Sequence, residues 1–321
     1  MSKAGYLLCA ITRKMPTVGQ GTIRLFRFSG VTVFLHWSWF LIALFEINSR
    51  AGRYSSIVWN IAEYLSLFLI VLMHEFGHSL ACRQVGGLAN RIILWPMGGV
   101  AFVNPPPRPG ATLWSIAAGP LVNVLLFPVF TGLAFLARSL GWAQTWPDLY
   151  LLVRAVWFIN IALLVFNILP IYPLDGGQIL RSLLWFIIGR ARSLMVATTL
   201  GFIGVAGFVI LAIWARSIWY AALAIFMLLN CWGGLRHALD LSKLAKLPRR
   251  DGFACPNCES APPVGENWHC GNCKQPFDIF ATQGICPYCA AQFLIAPCLE
   301  CGTAHPMDRW MVGSFVTEPS R

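Results

Sequence analysis

The chain has 321 residues, 57% of them apolar and only 12% charged, with 14 Trp and 22 Phe. That balance excludes a disordered chain and an ordinary soluble domain, and it predicts a multi-span membrane protein followed by something smaller. The formal net charge of +11 does not signal a nucleic-acid binder, because most Lys and Arg flank apolar runs, as the positive-inside rule expects.

Residues 1–21 read as an N-terminal extension without ordered structure. Gly5–Ile11 is too short for the apolar part of a signal peptide, and Thr12-Arg13-Lys14 follows it without a small-residue cleavage site. Thr22–Phe28 alternates in part between polar and apolar and reads as a short strand or interfacial segment. Val31–Ile47 is the first expected span. His36, near its start, reads as an interfacial or hydrogen-bonded histidine rather than a ligand.

The second expected span, Ile57–Arg83, is apolar except for Glu63 and the sequence His74-Glu75-Phe76-Gly77-His78. On a helix, histidines at i and i+4 lie one turn apart on one face. Two imidazoles so placed can bind one Zn²⁺, with Glu75 as general base to a water on that metal. A soluble zinc enzyme carries this motif on an amphipathic helix. Here two His and a Glu lie in hydrocarbon, where ionisable groups are costly and mark function.

Val85–Asn90 is a turn-rich break. Arg91–Trp95 and Val100–Val103 are strand-like runs about Pro96-Met97-Gly98-Gly99, which predicts a small hairpin beside the motif helix. The third span, Thr112–Ala137, contains Ala118-Gly119-Pro120-Leu121-Val122-Asn123, where the amide of Asn123 suits a hydrogen bond between helices. The fourth, Leu149–Leu169, runs into Asn167-Ile168-Leu169-Pro170-Ile171-Tyr172-Pro173-Leu174-Asp175-Gly176-Gly177. Its prolines and glycines break the helix, and broken backbone at membrane depth is tolerated only beside protein or a wet cavity. Ile179–Ile188 is too short to span. Met195–Trp214 and Ile218–Trp232 are the fifth and sixth spans, each near the ~20 residues a bilayer requires.

A catalytic zinc ordinarily takes three protein ligands. Glu46 falls at the opposite face, Glu63 lies three turns from His74 toward that face, and Glu75 is needed as base. Asp175 remains, so His74, His78 and Asp175 are the expected ligands. The chemistry is metal-assisted amide hydrolysis by a zinc-bound water that Glu75 activates. With six spans, one face collects most of the Lys and Arg, and the other holds Arg50, Arg53, Arg138, Arg154 and Arg216. The first face, with both termini, is expected to be cytoplasmic.

Residues 233–250 form a basic juxtamembrane linker. Of eleven Cys, eight fall in four C-x-x-C pairs after it, the arithmetic of zinc knuckles rather than disulfides. Cys9, Cys82 and Cys231 are isolated. Sequential pairing is expected, with Cys255, Cys258, Cys270 and Cys273 on one structural zinc and Cys286, Cys289, Cys298 and Cys301 on a second. His269 and His305 adjoin complete sets and are not expected as ligands. The zinc module spans 251–305, followed by a tail at 306–321. Between Asp251 and His305 the cations number one, Lys274, against five acids. That argues against nucleic acid and for a protein partner or a folded cap.

The three motifs HEFGH, AGPLVN and NILPIYPLDGG, in that order over residues 22–232, resemble the site-2 protease family of intramembrane zinc metalloproteases. Residues 255–301 resemble a double zinc ribbon. The expected fold is thus an all-α polytopic membrane protein of about six transmembrane helices with a small re-entrant β-hairpin, plus a small zinc-ribbon domain. The resemblance implies zinc on His74, His78 and Asp175, Glu75 as the catalytic residue, and a core of the second to fourth spans. PMGGVAF is similar to the family's re-entrant hairpin, which implies substrate-binding roles for Gly98 and Gly99. Asn123 and Asn167 match motif asparagines and carry the same implication. The implied substrate is the transmembrane segment of another protein, unwound within the lipid bilayer. No PDZ insertion lies between the core spans and no CBS-like segment follows them. Two other classes compete: a zinc or proton transporter, and an inactive scaffold presenting the ribbons. Against the first stands the absence of an inverted repeat; against the second, the intact set of catalytic residue types.

Overall fold

The computed structural model describes residues 21–50, 52–95 and 98–312. Most of the expected N-terminal extension, the hairpin turn at 96–97 and the tail beyond 312 lie outside the described residues.

A hairpin opens the membrane part. Ser29 and Gly30 take φ of 46° and 78°, the two-residue turn whose twist matches antiparallel strands. It joins β1 (Thr22–Phe28) to β2 (Val31–His36). After β2 come α1 (Ser38–Ser49) and α2 (Ile57–Gln84), which carries the HEFGH motif. Next are β3 (Leu88–Trp95) and β4 (Gly98–Asn104), the predicted hairpin. The four strands form one sheet in the order β1-β2-β3-β4, with β2 parallel to β3 and the other pairs antiparallel.

The first predicted span is therefore not a continuous helix. Val31–His36 is strand, and the 12-residue α1 rises only about 18 Å. Among the described residues, five helices are long and apolar enough to cross a membrane: α2, α3 (Pro109–Ser139), α5 (Pro147–Ile168), α7 (Arg190–Ala215) and α8 (Ile218–Ala245). Yet β2 and α1 together extend about 38 Å, alongside α2 and against its direction. Arg83 at the end of α2 bonds the Ser29 carbonyl, the Tyr64 hydroxyl donates to the Trp39 carbonyl at 2.8 Å, and Asn60 Nδ2 donates to the carbonyls of Ile47 and Arg50. A strand is tolerable at that depth because β2 is paired on both edges, so its backbone polar groups find partners. Valine dictates the choice: Val31 and Val33 bury β-branched side chains with Ile92, Leu94, Val71 and Leu72.

The short α4 (Trp142–Thr145) joins α3 to α5, and α6 (Asp175–Ile188) begins at the acid of the broken segment. The chain divides into two compact units near Leu239. The basic linker expected at 233–250 is helical as far as Ala245. Gly234 does not end the helix; a Cβ there would fall 2.7 Å from Thr198 Cγ2, so this glycine serves close packing of α7 on α8.

The second unit is built from one local device used four times. After each C-x-x-C the backbone turns left-handed, at Glu259, Lys274, Ala290 and Gly302. Each of those residues donates its N–H to the carbonyl of the first cysteine at 2.8–3.0 Å. Two small hairpins, β5–β6 (Trp268–His269, Pro276–Phe277) and β7–β8 (Ile295–Pro297, Ala304–Pro306), flank a core of Trp268, Phe277, Phe293 and Trp310.

The pairing of the knuckles is nested, not sequential. Cys255, Cys258, Cys298 and Cys301 converge in one cluster and Cys270, Cys273, Cys286 and Cys289 in the other. The cause is backbone pairing between the unit's two ends: Ala254 N–H donates to the Trp310 carbonyl and Val312 N–H to the Gly252 carbonyl. That zips the first knuckle to the fourth. Sγ–Sγ separations of 3.5–3.7 Å within the clusters match the ~3.7 Å edge of a tetrahedron with ~2.3 Å Zn–S bonds. His269 and His305 are in neither cluster.

Nested pairing predicts that C255S/C301S lowers ribbon zinc by one ion per chain by elemental analysis, and that C255S/C270S lowers it by two. Sequential pairing gives the reverse.

Candidate metal centre

The centre assembles where α2, α3 and α6 meet. His74 and His78 project from one face of α2, and Asp175 stands at the first turn of α6. Among the described residues these three form the His/Asp cluster able to hold a metal ion. Asp175 Oδ2 lies 3.0 Å from His74 Nε2 and 3.3 Å from His78 Nε2, and the two Nε2 atoms are 3.1 Å apart. Tetrahedral zinc with ~2.0–2.2 Å bonds places neighbouring donors about 3.3 Å apart, so the donor set fits the metal.

Hydrogen bonds on the far side of each ring fix which nitrogen faces the centre. His78 Nδ1 meets the Ser115 carbonyl at 3.0 Å. A carbonyl can only accept, so Nδ1 carries the proton and Nε2 presents its lone pair inward. His74 Nδ1 meets Asn123 Oδ1 at 2.7 Å. The orientation of that amide follows from its partner: Asn123 Nδ2 donates to Asn160 Oδ1 at 2.9 Å, and Asn160 Nδ2 donates to the Asn123 carbonyl at 3.0 Å. Oδ1 is thus an acceptor, and His74 also turns a lone pair inward. Both asparagines are fully buried.

Glu75 is buried beside the pair, and the Ala101 N–H of β4 donates to its Oε2 at 2.8 Å. Two glycines leave room for this packing. A Cβ on Gly99 would sit 2.2 Å from Glu75 Cγ, and one on Gly119 would sit 2.2 Å from His78 Nε2. The acid is delivered by the Pro170–Leu174 break. Gly176 and Gly177 then pack so closely on the backbone of Ile168 and Tyr172 that a Cβ would meet it at 2.2–2.3 Å.

The structure brings together His74, His78, Asp175, Glu75, Asn123 and Gly99. Asn167 is half-buried in the last turn of α5, and the amide held to the histidine is Asn123, not Asn167. Gly98 pairs with Trp95 at the start of β4. Glu63 is engaged by Arg50, Arg53 and Tyr54, away from His74 and His78. His36 stacks on Trp95 with centroids 4.4 Å apart. Sequence reading missed Asn160, the Ser115 carbonyl and the Ala101 N–H. Asn160 carried a signal, being, with Asn167, one of two amides within an apolar span. The two backbone groups carried none.

The chain is similar to known proteins over its membrane part. Residues 139–211 match the sequence profile described as Peptidase family M50, a stretch that includes Asp175. A zinc metalloprotease of Methanocaldococcus jannaschii is 33% identical over 183 residues, covering 56% of this chain and 50% of that protein. Stage IV sporulation protein FB of Bacillus subtilis is 34% identical over 120 residues, 36% of this chain and 38% of that protein. The chain thus spans half or less of the length of these relatives. Among solved structures, the site-2 protease from Methanocaldococcus jannaschii aligns with a TM-score of 0.48 at 26% identity, over 67% of this chain and 95% of that one.

Replacing Asn123 by Ala removes the only side-chain acceptor seen for His74 Nδ1 among the described residues. Zinc affinity at this centre, titrated against a chelator, is expected to fall about 10–100-fold. Unchanged affinity would show that the ring is oriented by other means.

Proposed function

We propose that this chain belongs, through its membrane part, to the site-2 protease family (peptidase family M50), as its similarity over residues 139–211 supports, and that it hydrolyses a peptide bond in or near the transmembrane segment of a membrane-protein substrate. The observation that carries this reading is the convergence of His74, His78 and Asp175, the last 101 residues beyond the first, beside a buried glutamate. Zinc held by these three residues would supply Lewis acidity to a water and to the scissile carbonyl. Glu75 accepts a proton from the attacking water and returns it to the leaving amine. Ala101 holds Oε2 in place, so Oε1 is the oxygen that carries the proton. Burial of His74, Glu75 and His78, each 5–6% exposed, strengthens every electrostatic contact among them. One catalytic and two structural zinc ions complete the metal content.

A helical substrate hides its amide bonds and must be unwound before attack. The edge of β4 supports an extended pose. Ala101 N–H points away from β3 toward Glu75, and alternation along the strand turns Val103 N–H the same way. A substrate added to this edge lies along the catalytic side of the sheet. The reading also keeps six crossings, with β2–α1 as the first, and places both termini and the ribbons in the cytoplasm by the charge bias. The ribbons, poor in cations, suit a protein partner and not nucleic acid.

Glu75→Gln is expected to lower cleavage of single-span substrates by at least about 100-fold in detergent while bound zinc stays constant. Cleavage that persists would sink the hydrolase reading, and zinc or proton flux in liposomes without cleavage would establish a transporter instead. Val103→Pro tests the substrate pose. The N–H it removes is not one used by β3, so the hairpin and the zinc are retained while turnover falls; undiminished turnover counts against strand addition.

A further inference from the structure

A cavity of about 750 Å³ lies between the N-terminal half of α2 and the stretch of α5 from Leu151 to Phe166, at the end of α2 away from His74 and His78. Its lining combines two chemistries. At the loop end stand Arg50, Arg53 and Arg154, with Glu63 as the one acid of the lining; farther in, the wall is apolar, with Phe158, Leu163 and Phe166. Phe158 is 65% exposed, on a helix apolar enough to cross a bilayer, so the cavity opens sideways to lipid.

The charge balance defines the occupant. Glu63 is 4% exposed and already saturated: Oε1 accepts from Arg50 and Arg53, and Oε2 accepts from the Tyr54 hydroxyl at 2.6 Å. Burial and that carboxylate hold the Tyr54 phenol well above its usual range, so it remains a donor. Within the lining three guanidiniums accompany one carboxylate, and Arg154 is not among the groups bonded to Glu63. Asp148, nearby, is taken by the N–H and hydroxyl of Ser55 and does not line the cavity. Asn60 anchors the loop by donating to the Ile47 and Arg50 carbonyls, so the arginine-bearing segment is held in place. Three of the five arginines at the cation-poor end of the bundle line this single cavity, which membrane topology alone does not require.

We propose that this cavity binds an anionic phospholipid, its phosphate between the three arginines and one acyl chain along the α2–α5 wall. The site is separate from the metal centre and stands whether or not the chain is a protease. Guanidinium suits phosphate because its planar donors match the anion's oxygens. A soluble anion has no use for the apolar wall, and a neutral apolar segment has none for the arginines.

The test is native mass spectrometry of the full chain in detergent, with equal amounts of phosphatidylglycerol and phosphatidylcholine. One phosphatidylglycerol retained in preference is expected. Arg154→Gln, which leaves the Glu63 cluster intact, should weaken that retention about fivefold, the equivalent of about 1 kcal/mol per charge. Arg138→Gln, at the same membrane end but outside the cavity, should leave it unchanged. Zinc content reports folding in both variants. Equal retention of the two lipids would reveal a merely apolar groove and overturn the proposal. So would an equal loss in Arg138→Gln, which points to general surface charge, or displacement by millimolar glycerol 3-phosphate, which points to a soluble-anion site.

Discussion

The paired amides of Asn123 and Asn160 decide the geometry of this molecule's centre. They lie on α3 and α5, bond each other twice, and present one oxygen to His74 on α2. Three membrane helices are thereby locked at a single depth. Burying an amide without partners costs several kcal/mol, so the reciprocal arrangement is strongly selected over any slide of one helix past another. The orientation of His74 is set by the same contact that aligns the bundle.

Where amides fix depth, glycines fix distance. Gly119 lets α3 approach until its backbone faces both imidazoles, and Gly77 on α2 receives Ala118 in return, at 2.5 Å from a would-be Cβ. Gly99 does the same for β4 against Glu75. Glu75 is thus clamped between a helix that carries it and a strand that bonds it. Sheet and helix act as one support, although they are far from alike in their own packing.

Much of this was legible in the sequence because it depends on residue type and spacing. The i, i+4 histidines require a helix, and the proline–glycine break requires a loop, so Asp175 could be paired with them before any fold was known. The hairpin expected from Arg91–Trp95 and Val100–Val103 was visible from its turn residues, and its strands extend to Leu88 and Asn104. What escaped was whatever depends on partners. Val31–His36 is apolar in either reading, and only its neighbours β1 and β3 make it a strand. The four knuckles are locally identical and their order suggested sequential pairing; the zip between Ala254 and Trp310 makes it nested instead. Ser115 and Ala101 contribute backbone groups, which no side-chain pattern records.

The nested ribbons also imply an order of assembly. The inner cluster closes over Cys273 and Cys286, 13 residues apart, whereas the outer one joins Cys255 to Cys301 across 46. Loop closure costs more entropy as the loop lengthens, and once the inner knuckles are tied, the effective length left for the outer pair shrinks. Metal capture at the inner site therefore prepares the outer one. The two ends of the ribbon unit are the last to be fastened and, when metal is scarce, the first to part.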